Sequence, residues 1–191
     1  MSGTSDDIVE VLLDQHGQIR RLLDEVSGAP GPDARRGPFQ ALVRLLAVHE
    51  AAEEQVLHPV ARVRLPDGDE VADARIAEEE ESKRLLAELE RLGPGHEDFD
   101  SRFARVRELV LAHAGNEERE EFPGVREHYG EDERRTLGAA FKAAELAAPT
   151  HPHPHDPNRP PANLLAGPLV AAADHVRDAL RSAVQGLRRA G

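Results

Sequence analysis

The sequence contains no cysteine. That excludes disulfides, thiolate metal sites, iron–sulfur clusters and a cysteine nucleophile, and it agrees with a cytoplasmic location. Aromatic residues are scarce, at 3%. A core without them is built from Leu, Val, Ile and Ala, which pack well between helices. Sandwiches and barrels lean instead on β-branched and aromatic side chains. No stretch approaches the ~18 consecutive apolar residues of a membrane span. Residues 1–7 are polar and acidic, without the basic and apolar regions of a signal peptide. There is no Gly-rich phosphate loop and no G-x-S-x-G elbow. Basic residues are in deficit, 24 Lys and Arg against 36 Asp and Glu, for a net charge of −12. No nucleic-acid partner is expected from such a chain, and no membrane partner. A bound cation is easier to accommodate, although most of these carboxylates simply make a soluble surface.

Apolar residues recur at helical spacing in long segments. The first spans about 5–26, with Ser5 as its N-cap and Val9, Leu12, His16, Ile19, Leu23 and Val26 on one stripe. The second spans about 33–63, with Pro38 near its start, a first-turn proline if the helix begins there, and Pro59 late, where a kink or early end is expected. The third spans about 69–92 and the fourth about 98–128, again with a late proline, Pro123. A further helical pattern covers 131–147. The expected fold is therefore all-α: an up-down-up-down antiparallel four-helix bundle over residues 1–148. Residues 149–163 read as a Pro/His-rich linker, in which His151, His153 and His155 alternate with prolines as a stiff spacer. Residues 164–191 read as one more amphipathic helix.

Two segments match at a constant offset. His49, Glu53, Glu54 and Pro59 correspond to His113, Glu117, Glu118 and Pro123, giving the shared pattern His-x3-Glu-Glu-x4-Pro. Residues i and i+4 lie one above the other on a helix face. Each segment therefore presents one imidazole and one carboxylate in the same direction, from runs that otherwise point apolar residues inward. A single HxxxE is usually a solvent-exposed pair. Two at equivalent places on two helices point to a two-metal carboxylate site in a bundle core.

Helix one adds His16, near mid-helix as His49 and His113 are, which places the three in roughly one layer. Helix three offers Glu78, Glu79, Glu80 and Glu81 but no histidine. The repeat offset sets Glu80 opposite His16. Aligning Leu22 and Leu23 with Leu85 and Leu86 selects Glu79, which also shares a stripe with Ser82, Leu86 and Leu89. The plain alternative is that all four glutamates form a solvated face. His58 lies about half a turn off the His49 face of an ideal helix, unless Pro59 distorts the helix end.

These motifs resemble the hemerythrin-like family of cation-binding bundles, over roughly residues 5–147. Its signature is a histidine on helix one, HxxxE on helix two, a histidine on helix three and HxxxE on helix four. The resemblance implies two iron ions, oxo- or hydroxo-bridged, with His16, His49 and His113 as terminal ligands and Glu53 and Glu117 as bridges. Glu79 would stand in for the missing imidazole. Carboxylate is a harder, anionic ligand that favours ferric iron or permits manganese. The expected partner is a peroxide or small diatomic ligand, H2O2, O2 or NO, in catalase- or peroxidase-like chemistry or in sensing. A different class of function is a non-catalytic iron buffer or sensor signalling through the last helix. A third is a plain scaffold with a hydrogen-bonded polar core.

Overall fold

The computed structural model describes residues 6–152. The predicted helix over 164–191 and most of the linker lie outside them, as does Ser5. The described residues are all helical apart from their turns, with no strand among them. No helix among them is long and apolar enough to cross a membrane.

Helix α1, Ile8–Gly28, begins later than the stripe alone suggests, because the Asp7 side chain accepts a hydrogen bond from the Val9 amide and caps it. Helix α2, Pro32–Ala52, takes Pro32 rather than Pro38 in its first turn, where a missing N–H costs nothing. Helix α3 is His58–Arg64, α4 Gly68–Leu92, α5 Phe99–Asn116, α6 Phe122–His128 and α7 Glu131–Ala147. The second and fourth predicted helices are thus each divided, into α2 and α3 and into α5 and α6. The joint in each case is a five-residue π-helical turn, Glu53–Leu57 and Glu117–Glu121.

The prolines explain both joints. Pro59 and Pro123 cannot donate to the carbonyl four residues back, and their rings crowd it. A wider turn relieves the clash: the amide of His58 donates to the Glu53 carbonyl, and that of Phe122 to the Glu117 carbonyl, each five residues back. The extra residue also rotates whatever follows. His58 is carried inward and buried, whereas an ideal helix would turn it away.

Helix α1 packs on α2, α4 on α5, and α7 across α1, α2 and the first π turn. Gly138 allows the close approach of α7, since a Cβ there would lie 1.9 Å from the Asp6 carbonyl oxygen. The apolar core falls into two clusters. One holds Ile8, Leu12, Val56, Leu57, Phe122 and Phe141; the other holds Ile19, Leu23, Leu42, Leu46, Leu86 and Phe103. Along each helix the polar inward residues come between these clusters: His16 between Leu12 and Ile19, His49 between Leu46 and Ala52. A buried polar layer is therefore held from both ends by close-packed hydrocarbon.

Candidate metal centre

Each HxxxE pair sits where an α-helix passes into a π turn. His49 and His113 close α2 and α5, and Glu53 and Glu117 open the turns. His49 Nε2 lies 3.1 Å from Glu53 Oε1, and His113 Nε2 lies 3.5 Å from Glu117 Oε1. His16 Nε2, from α1, approaches Glu117 Oε2 at 3.2 Å. Ligand atoms of His16, His49, Glu53 and Glu117 all fall within 4.8 Å of one another. Those of Glu53, Glu79 and His113 form a second such group, and those of His58, Glu117 and Glu121 a third.

The outward nitrogens of three histidines are tied down. Gln15 Nε2 donates to Glu145 Oε1 at 2.7 Å, so its Oε1 is the acceptor for His49 Nδ1–H, also at 2.7 Å. His16 Nδ1–H donates to Glu118 Oε1 at 2.8 Å, an oxygen that Arg20 also binds. His113 Nδ1–H donates to Glu78 Oε2 at 3.1 Å. With Nδ1 engaged outward, each ring turns Nε2 toward the centre. Outer hydrogen bonds fix the tautomer of metal-ligating histidines in this way.

The surroundings obey an approximate internal two-fold. Gln15 precedes His16 and holds His49; Glu78 precedes Glu79 and holds His113. Arg20, four residues after His16, pairs with Glu118; Lys83, four after Glu79, pairs with Glu54. His16 and Glu79 are thus equivalent positions, as the paired leucines suggested. One further equivalence is broken. Phe122, five residues after Glu117, stacks on His16 with ring centroids 5.4 Å apart. Its counterpart, five residues after Glu53, is His58, whose Nε2 bonds Glu79 Oε1 at 2.6 Å.

Electrostatics differ accordingly. Burial, aided by the neighbouring His16 and His113, keeps the His49 imidazole neutral, well below its usual range. Burial and then the Glu117 and Glu79 carboxylates push Glu53 well above the carboxylate range. Burial would raise Glu79 too, but the hydrogen bond from His58 and the charge of Lys83 outweigh it and hold the group at about 2. Burial opposes charge on His58 and His113, yet their carboxylate neighbours win. Glu121 and Glu79 lift His58 to about 10, and Glu117 and Glu78 lift His113 to about 9. Burial raises Glu50 to about 8 against the opposing pull of Lys83.

Several buried atoms have no hydrogen-bond partner among the described residues: His16 Nε2, His113 Nε2, and both carboxylate oxygens of Glu53 and of Glu117. Glu53, Glu79 and Glu117 are 0% exposed. Orphaned buried polar atoms are costly, each by about 1–3 kcal/mol. Here they face one another, with imidazole nitrogen and carboxylate oxygen as donors. That is a set suited to iron or manganese, and cations between them would satisfy every orphan at once. The residues present fit a metal centre.

All six residues predicted from sequence, His16, His49, Glu53, Glu79, His113 and Glu117, are buried and brought together. Of the alternatives on helix three, Glu79 faces the centre, while Glu78 stands behind His113. The four glutamates are therefore not one solvated face. His151 is not at the centre; it bonds Glu90 on α4 at 2.6 Å. His58 is at the centre, and Glu121 with it, Oε1 lying 3.3 Å from His58 Nδ1. Glu121 has an apolar counterpart in the repeat, Leu57, so no sequence match pointed to it. Gln15 and Glu78 carried a signal that was missed, each preceding one of two equivalent positions.

Comparison with known proteins agrees with this geometry. A hemerythrin-like protein of Schizosaccharomyces pombe, itself uncharacterised, is 26% identical over 172 residues, covering 90% of this chain and 85% of that protein. A DNA nickase of Nostoc is 28% identical over 140 residues, 72% of this chain but only 39% of the nickase. No solved structure matches. The model of the hemerythrin HHE cation binding domain matches residues 7–125, which contain every inward-facing ligand atom described above. The chain belongs to the hemerythrin HHE cation-binding family.

Proposed function

We propose that this chain is a two-iron protein that reacts with, or senses, a small oxidant: H2O2, O2 or NO. The observation that carries the reading is the convergence of orphaned buried imidazole and carboxylate atoms from α1, the two π-turn segments and α5. The short connections between successive long helices support an up-down-up-down path for the bundle that holds them. His16 and His49 would hold one metal, His113 and Glu79 the other, with Glu53 and Glu117 shared between them. Bound iron supplies redox chemistry toward the oxidant, and manganese suits the same donors.

The chain's own residues fix the ligand set and its cover. Gln15, Glu118 and Glu78 orient the three imidazoles. Phe122 and Phe141 lie against His16 and His49 and keep that side apolar. Lys83 offsets the charge of Glu79 and Glu54 on the other side. The net charge of −12 favours a small uncharged ligand over nucleic acid, so the activity named for the nickase is not carried across.

Protein produced with iron should hold about two metals per chain, and its visible absorption should change when peroxide is added. Metal well below one per chain would sink the reading. Loss of H2O2 under turnover separates a peroxidase-like enzyme from a sensor.

A specific contact favours the sensor as second reading. Glu145 on α7 bonds Gln15, which bonds His49. Metal at His49 is thereby linked to the helix that leads into the linker. The sensor reading predicts that metal loading alters protease cleavage within residues 149–163; an unchanged pattern counts against it.

A further inference from the structure

His58 differs in kind from the other three buried histidines. Each of those bonds outward through Nδ1 and leaves Nε2 facing the centre. His58 is hydrogen-bonded to a carboxylate at both nitrogens, to Glu79 through Nε2 and to Glu121 through Nδ1, whereas the Nε2 atoms of His16 and His113 lie beside Glu117 without a hydrogen bond. Its partner Glu79 is likewise engaged at both oxygens, by His58 at Oε1 and by Lys83 at Oε2 at 2.9 Å. Each carboxylate oxygen has a second lone pair, so Glu79 can still face Glu53 and His113.

The internal two-fold says what this arrangement replaces. On one side, an imidazole at the ligand position, His16, is backed by an apolar ring, Phe122. On the other, the ligand position is a carboxylate, Glu79, and the backing residue is an imidazole, His58. Imidazole and supporting residue have exchanged places across the π turn. A carboxylate can rotate about its stem and present either oxygen, whereas a packed imidazole cannot, so it requires a donor to fix it. A buried anionic ligand also needs a compensating charge, which neutral imidazole does not. His58 supplies the donor and Lys83 the compensating charge, and Glu121, 0% exposed, holds His58 in turn.

We propose that His58 is a positioning residue for the second metal position: the imidazole that helix three lacks, supplied by the helix-two segment from behind Glu79, with Glu121 as its support. This rests on the two-metal reading. His58 → Glu79 → metal then forms a chain in which a hydrogen bond, not a coordinate bond, is the contribution of His58.

The test uses the full-length protein and ferrous iron or cobalt as probe, with metal content and the dissociation constant of each metal measured by titration, and folding checked by circular dichroism. His58→Phe, the residue found at the equivalent place, should weaken the second metal about 10–100-fold while the first is kept. His58→Gln, whose side-chain amide can still donate to Glu79, should restore most of that loss. The double variant Glu79→His/His58→Phe, which copies the His16 and Phe122 arrangement, should bind both metals. Should His58→Phe not fold, the other two variants decide alone. Undiminished second-metal binding in His58→Phe would overturn the proposal. So would failure of folded His58→Gln to bind the second metal, since His58 would then be a ligand itself. Wild-type protein that takes up no metal would instead refute the two-metal reading.

Discussion

Two halves of one buried layer are built to the same plan and finished differently. Around His16 and His49 the walls are rings: Phe122 stacks on one imidazole, Phe141 meets the other edge-on at 6.3 Å, and α7 covers the side. Around His113 and Glu79 the walls are polar: His58, Glu121, Lys83, Glu50 and Glu78. The difference shows how a duplicated scaffold is made asymmetric at small cost. The spacing that turns an imidazole and a carboxylate inward is kept, through HxxxE, the π turn and the proline that demands it. The residues behind them are exchanged. An inward imidazole is backed by hydrocarbon at His16, whereas the inward carboxylate of Glu79 brings with it the donors His58 and Lys83.

The largest expected effect removes what the halves share. Glu53→Gln with Glu117→Gln should abolish binding of both metals, seen as loss of metal after purification. Replacing the same two residues by leucine should make the metal-free protein more stable than metal-free wild type, by about 1–4 kcal/mol, because four orphaned oxygens give way to hydrocarbon. Chemical denaturation in the presence of chelator measures this.

Next come changes confined to one half. His16→Ala should lose the first metal and keep the second, and His113→Ala the reverse, each leaving about one metal per chain. Loss of both metals in either variant would show the halves to be a single cooperative unit. A smaller effect follows from the outer bonds. Gln15→Leu leaves His49 Nδ1 without its acceptor and should weaken the first metal about 10-fold, with the second unchanged in the same titration. The smallest is Phe122→Leu, which keeps an apolar wall beside His16. It should cost less than about 1.5 kcal/mol in denaturation and leave metal content unaltered.

Much of this was legible in the sequence, for identifiable reasons. Helical periodicity and Gly/Pro breaks gave the long helices, and the duplicated HxxxE gave the inward carboxylates and imidazoles. The leucine pairs aligned Glu79 with His16. What was not legible follows from one event. The π turns add a residue to the helical count, so every face computed beyond Glu53 or Glu117 on ideal geometry is displaced. On ideal geometry His58 falls off the His49 face, and only the π turn that Pro59 imposes brings it inward. Glu121 broke the repeat and so left no trace. The outer-shell partners Gln15, Glu118 and Lys83 look like ordinary surface polarity until the helices are packed.

The central claim is that two metal positions exist and are unlike. Mössbauer spectroscopy of the iron-loaded full chain reads it most directly. Two distinct iron signals of equal area, at about two irons per chain, are predicted. A single signal, or iron at one per chain or below, would contradict the account.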